Sequence, residues 1–122
     1  RLAIKLPVSA PFHCSMMQPA ADAMASALED AAMNDSAVPV ICNVTAAVES
    51  NASQLRANLV HQVTGRVRWR ETLLAASEAG VTTFVELGTG KVLSGLVKRT
   101  LEDMAMVNLD GADDLDSVLA QL

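Results

Sequence analysis

The sequence predicts an α/β fold: part of a layered, α/β hydrolase-like domain with mostly parallel strands. Three observations carry the class. Short apolar runs rich in Val and Ile alternate with stretches whose apolar residues recur every three or four positions. Small breakers such as Thr64-Gly65, Gly80 and Gly88-Thr89-Gly90 separate them. The 122 residues are 51% hydrophobic and only 19% charged, which suits one modest domain with a core and excludes a disordered tail.

The elements follow in order. Residues 1–8 alternate apolar and polar and read as a strand. Residues 15–33 read as a helix, with Met16, Ala20, Met24, Leu28 and Ala31 as its apolar stripe and Ser15 as its cap. Pro19 fits only in the first turn of that helix. Residues 38–44 form a short apolar run expected to be a strand covered on both faces. Residues 46–52 are a connection. Residues 53–63 are a helix capped by Ser53 and broken at Thr64-Gly65. Residues 69–79 are a second helix, ended by Gly80 as a left-handed cap. Residues 81–87 are a buried strand, Gly88-Thr89-Gly90 a turn, and residues 91–101 a helix. Residues 104–109 are the last strand. Residues 113–122 are a terminal helix whose Asp113, Asp114 and Asp116 face the positive end of its dipole. This alternation favours parallel strands joined by helices.

Composition narrows the function. Net charge is -5, against nucleic acid as a partner, because phosphate binding needs clustered Lys and Arg. No apolar span is long enough for a membrane, so no membrane partner is expected. Two cysteines make no disulfide framework, and a cytoplasmic location is the simplest expectation. Two Cys and two His at these spacings make no zinc site, so no metal and no cofactor is expected. Gly88-Thr89-Gly90-Lys91 misses the P-loop, since Val92 follows the lysine, and misses the dinucleotide fingerprint, since Leu93 stands at the third glycine. A tight turn is the preferred reading there, with an anion-binding module as the rival.

The segment Leu6-Pro7-Val8-Ser9-Ala10-Pro11-Phe12-His13-Cys14-Ser15 holds the candidate chemistry. Its prolines push Leu6 and Ala10 away from helical angles. His13 therefore stands where an extended segment gives way to a helix. This segment resembles the one carrying the active-site histidine of malonyl-CoA:acyl carrier protein transacylases and related polyketide synthase acyltransferases. The resemblance continues through Val38-Pro39-Val40-Ile41-Cys42-Asn43-Val44-Thr45, Leu59-Val60-His61-Gln62-Val63 and Val67-Arg68-Trp69. It ends in Glu86-Leu87-Gly88-Thr89-Gly90-Lys91-Val92-Leu93-Ser94-Gly95-Leu96. Thr89 and Arg66 stand where the family commonly has proline.

The resemblance implies transfer of malonyl from coenzyme A to the acyl carrier protein thiol through an acyl-serine, in fatty acid biosynthesis. His13 would be the general base and then acid. Gln62 would orient it through the main-chain carbonyl; the competing reading is an ordinary helix-surface residue. Phe12 would bear on substrate choice by filling the space of an α-methyl group, with core packing as the rival. The serine and the substrate arginine precede the histidine in the family. No G-x-S-x-G elbow occurs here, so the isolated chain is expected to be inactive. The expected partners are malonyl-CoA, the acyl carrier protein and the missing N-terminal part of the same enzyme. Residues 1–6 would be the last strand leaving a small ferredoxin-like subdomain, and 7–122 the C-terminal part of the large one. Alone, such a piece is expected to expose apolar strand faces and to aggregate. Cys14 beside His13 allows a Cys/His nucleophile, disfavoured because adjacent side chains rarely aim at one another. A polyketide-type acyltransferase is the alternative enzyme.

Overall fold

The computed structural model describes residues 8–121. The expected strand at 1–8 and the boundary at residue 6 lie almost wholly outside them. The chain divides into two compact units, Arg1–Trp69 and Arg70–Leu122.

The first unit opens with a single 3-10 turn, Ser15–Met17, that runs into α1, Gln18–Glu29. Pro19 lies in the first turn of α1, where its missing N–H costs nothing. Two expectations change here. Ser15 makes no capping hydrogen bond, and the helix stops at Glu29 with Asp30 as its cap. Its buried residue is Ala21, one position from the expected stripe, and Met16 is 73% exposed. Small side chains at Ala21 and Ala25 let α1 approach α2 closely, and this packing overrides the longer Met stripe.

The expected two-sided strand is shorter and differently paired. β1, Val40–Cys42, is antiparallel to β2, Ala47–Glu49, an element the sequence reading treated as connection. Ala46 takes a left-handed φ of 55° at the hairpin turn. Helix α2, Ala52–Thr64, follows. Its cap is Asn51, not Ser53: the Asn51 Oδ1 accepts from Gln54 N at 3.1 Å, and the Ser53 hydroxyl donates to that same oxygen at 2.6 Å. Asp35 adds a second anchor by accepting from Ala52 N at 2.7 Å.

All of α3, Trp69–Glu78, except its first residue belongs to the second unit. It ends as expected: Gly80 has φ 87°, and the N–H groups of Gly80 and Val81 return to the carbonyls of Ser77 and Ala76. Leu73 on α3 is 1% exposed. A βαβ unit follows: β3 Thr83–Leu87, α4 Val92–Thr100 and β4 Ala105–Leu109, with the strands parallel and Val85 opposite Val107. The α/β class and the parallel pair are as the sequence predicts. Strand β3 is not buried on both faces; Leu87 is 73% exposed. The expected terminal helix is a 3-10 turn, Ala112–Asp114, then α5, Leu115–Leu119, lying against β4 where Val107 and Val118 are buried.

Candidate functional site

His13 sits between the irregular segment 8–11 and the 3-10 turn. Its φ is 57°, a left-handed conformation that costs a non-glycine residue roughly 1–2 kcal/mol. Surrounding bonds hold it there. Phe12 N donates to Ala10 O at 3.0 Å, and the Cys14 thiol donates to Pro11 O at 3.1 Å. The left-handed kink turns the imidazole toward the end of α2, where Nδ1 lies 2.9 Å from the main-chain oxygen of Gln62. A carbonyl only accepts, so Nδ1 carries the hydrogen. In the neutral ring, Nε2 is then left with a free lone pair. The ring is exposed.

Gln62 is therefore in contact with His13 through its backbone, not its side chain. The side-chain amide turns away and donates to Gly65 O at 3.3 Å. The helix end that presents this carbonyl is fixed from two sides. Gly65 N closes α2 on His61 O, and a Cβ at Gly65 would lie 2.7 Å from His61 O and 2.8 Å from Val44 Cγ2. Only glycine allows that approach. Arg68 then ties the following segment to the hairpin turn, with its N on Asn43 O at 2.9 Å and Nη1 on Thr45 O at 2.7 Å.

Phe12 is 59% exposed, so it is not core in the described residues. Cys14 and Cys42 are free thiols, and the Cys14 thiol is committed to Pro11 O. No group of three or more His, Cys, Asp or Glu that could hold a metal occurs among the described residues. No helix among them is long and apolar enough to cross a membrane. Beside the Gln62 end of α2 lies an apolar cleft of about 380 Å³, walled by β1, by Met33 and by the Leu55, Asn58, Leu59 and Gln62 face of α2. The sequence reading missed it, although those α2 residues recur at separations of three and four and were a usable signal.

The Gly88–Lys91 turn is not an anion site. Gly88 and Gly90 have φ of 117° and 93°, which only glycine adopts freely. Gly90 N is already bound to Asp110 Oδ1 at 2.9 Å. At the start of α4, Glu86 accepts from Leu93 N at 3.0 Å, Ser94 N at 2.8 Å and the Ser94 hydroxyl at 2.5 Å. Asn108 closes the triangle, donating to Glu86 Oε2 at 3.1 Å and to Ser94 Oγ at 2.7 Å. The chain's own carboxylates thus fill the positive end of α4, and a phosphate would meet two negative charges there. The run from Glu86 to Leu96 reads physically as a strand-to-helix lock.

The Ser94 hydroxyl, then the Ser94 N–H, hold the Glu86 carboxyl below its usual range; partial burial opposes them, and Leu93 N–H and Asn108 assist. A carboxylate lowered on folding stabilises the fold above the ordinary value of about 4.3 and loses that contribution as pH falls below it. Glu86→Gln is therefore expected to lower the urea midpoint at pH 7, with the gap to the parent narrowing as pH falls below about 4.3. A gap that did not narrow on acidification would show that the charge of Glu86 does not hold the lock.

No family model matches the chain. Individual proteins do. A curated malonyl CoA-acyl carrier protein transacylase from Synechocystis is 42% identical over 118 residues, covering 97% of this chain and 40% of that protein. A crystal structure of acyl-carrier-protein S-malonyltransferase from Bartonella henselae shares its fold at TM-score 0.87 and 46% identity, over 95% of this chain and 37% of that one. A malonyl transacylase in complex with its type II polyketide synthase acyl-carrier protein matches at TM-score 0.86 and 37% identity, over 96% of this chain and 38% of that one. The chain spans about two-fifths of the length of the curated relatives it matches, and it corresponds to their C-terminal portion.

Proposed function

We propose, from the premise that this chain belongs to the malonyl CoA-acyl carrier protein transacylase family, that its protein moves malonyl from coenzyme A to the carrier thiol, with His13 as proton carrier. The observation that carries the reading is the 2.9 Å bond between His13 Nδ1 and the Gln62 carbonyl, which leaves Nε2 as the basic nitrogen. A serine outside these residues attacks the thioester carbonyl and passes its proton to Nε2. The C–S bond breaks, and the departing coenzyme A sulfur takes that proton. The carrier thiol then gives its own proton to Nε2 and attacks the acyl ester. The bond between the acyl carbon and the serine oxygen breaks, and the serine oxygen recovers the proton. A main-chain carbonyl suits this cycle: it holds the ring in one tautomer yet adds no negative charge that would bind the proton too tightly.

Phe12, immediately before His13 and exposed, would limit the bulk of the acyl group beside the imidazole. In this reading residues 1–6 leave a small subdomain and 7–122 complete the large one. The chemistry belongs to the cytoplasm, where Cys14 and Cys42 stay reduced. The neighbour bound to a polyketide-type carrier supports a second reading, in which the acceptor or the acyl group is that of polyketide synthesis.

Labelled malonyl-CoA tests the assignment. The intact protein is expected to retain one malonyl group per chain on a serine outside these 122 residues and to release it to carrier thiol. The chain alone is expected to retain none. Stoichiometric labelling of the isolated chain, or labelling of Cys14, would overturn the division of labour. Profiling methylmalonyl-CoA against malonyl-CoA separates the polyketide reading.

A further inference from the structure

We infer that Cys14 is a positioning residue for the imidazole: its thiol, bonded to Pro11 O, closes the turn that holds His13 left-handed and keeps Nδ1 on Gln62 O. The inference rests on the proposed function above, which makes His13 the proton carrier.

The turn is an unfavourable place for an imidazole. Phe12 and His13 form a tight turn, and His13 takes a φ of 57° at its second position. Glycine or asparagine ordinarily stands at such a position. Neither can carry a proton at neutral pH, so a histidine is held there against its own backbone preference. Relaxation to a negative φ would swing Cβ and the ring together, and Nδ1 would leave Gln62 O.

Pro11, Phe12 and His13 are all exposed, so packing does little to hold the turn and its hydrogen bonds carry the geometry. Both flanks of the strained residue are fixed. On one side the ring of Pro11 sets its φ, and Phe12 N donates to Ala10 O at 3.0 Å. On the other side Cys14 is extended, at φ -144° and ψ 174°, and its carbonyl accepts from Met17 N at 3.0 Å. The Cys14 thiol joins the two flanks across His13, donating to Pro11 O at 3.1 Å. Position 14 therefore calls for a short side chain with a donor. Serine meets that requirement and alanine does not.

The test is made on the intact protein. Cys14→Ala is expected to lower kcat for malonyl transfer about two- to tenfold, the population shift that one hydrogen bond of ordinary strength sets, with KM nearly unchanged. Cys14→Ser should restore most of the rate. In a His13→Ala background, Cys14→Ala should cost nothing further, because no ring is left to position. Histidine-selective ¹⁵N NMR at pH 8 reads the turn without reference to activity. The parent and Cys14→Ser should show His13 with its hydrogen on Nδ1, and Cys14→Ala a mixture of tautomers. An unchanged kcat or an unchanged tautomer in Cys14→Ala overturns the inference. So does an equal loss in the His13→Ala background, or a failure of Cys14→Ser to restore either readout. A Cys14→Ala protein that no longer folds overturns it too, since the bond would then hold the fold and not the ring. A parent that transfers no malonyl rejects the proposed function, and the tautomer still decides the role of Cys14. Transfer by the parent with an indifferent Cys14→Ala keeps the function and rejects the positioning.

Discussion

Replacing His13 with alanine in the intact protein is expected to cut the rate of malonyl transfer by about 10²–10⁴-fold, the usual contribution of a positioned general base. The loss should fall on kcat, because in the proposed cycle the imidazole would meet the reacting proton and not the body of the substrate. Both half-reactions should suffer, since in the proposed cycle the same Nε2 would serve the serine and then the carrier thiol. Gln62→Ala provides the control. It removes the side-chain bond to Gly65 O but keeps the carbonyl that His13 uses, so it should retain most activity. A Gln62→Ala loss as deep as that of His13→Ala would place the function of Gln62 in its amide. A His13→Ala rate within threefold of the parent would remove the acid–base role altogether.

Leu73→Ala is expected to destabilise the second unit by about 2–5 kcal/mol, through lost transfer energy and the cavity left behind. Leu73 is 1% exposed, the most deeply buried large side chain described. That cost is a large share of the roughly 5–15 kcal/mol by which small domains are stable. Leu87→Ala is the contrast. At 73% exposure Leu87 contributes little in this chain, and the change should stay within about 0.5 kcal/mol. Urea unfolding of the two variants checks the pair. Similar shifts for both would mean that the burial pattern does not describe the stable core.

Local signals in the sequence placed several elements well. Gly80 ended α3 because a left-handed cap needs no tertiary help, and Pro19 marked the first turn of α1 for the same reason. The run from Glu86 to Leu96 was recognisable as a turn between strand and helix. Its physical content was not, because Glu86 and Asn108 lie 22 residues apart and meet only across the paired strands. The hairpin β1–β2 was missed: residues 47–49 carry no strong strand pattern, and their conformation comes from pairing with residues 40–42. The stripe of α1 was misplaced by one position, since closeness of two helices favoured alanine over methionine at the contact.

The candidate site divides in the same way. The prolines and the position of His13 ahead of a helix could be read from the chain, because both are consequences of local backbone sterics. Which nitrogen of His13 is free, and that the Gln62 backbone is what holds it, required the end of α2 to be brought beside a residue 49 positions earlier. The sequence by itself determined the class of fold and the imidazole, both consequences of short-range patterns. Only the tertiary structure decided the tautomer, the filled helix terminus and the open cleft, because each depends on groups distant in the chain being held within hydrogen-bonding reach.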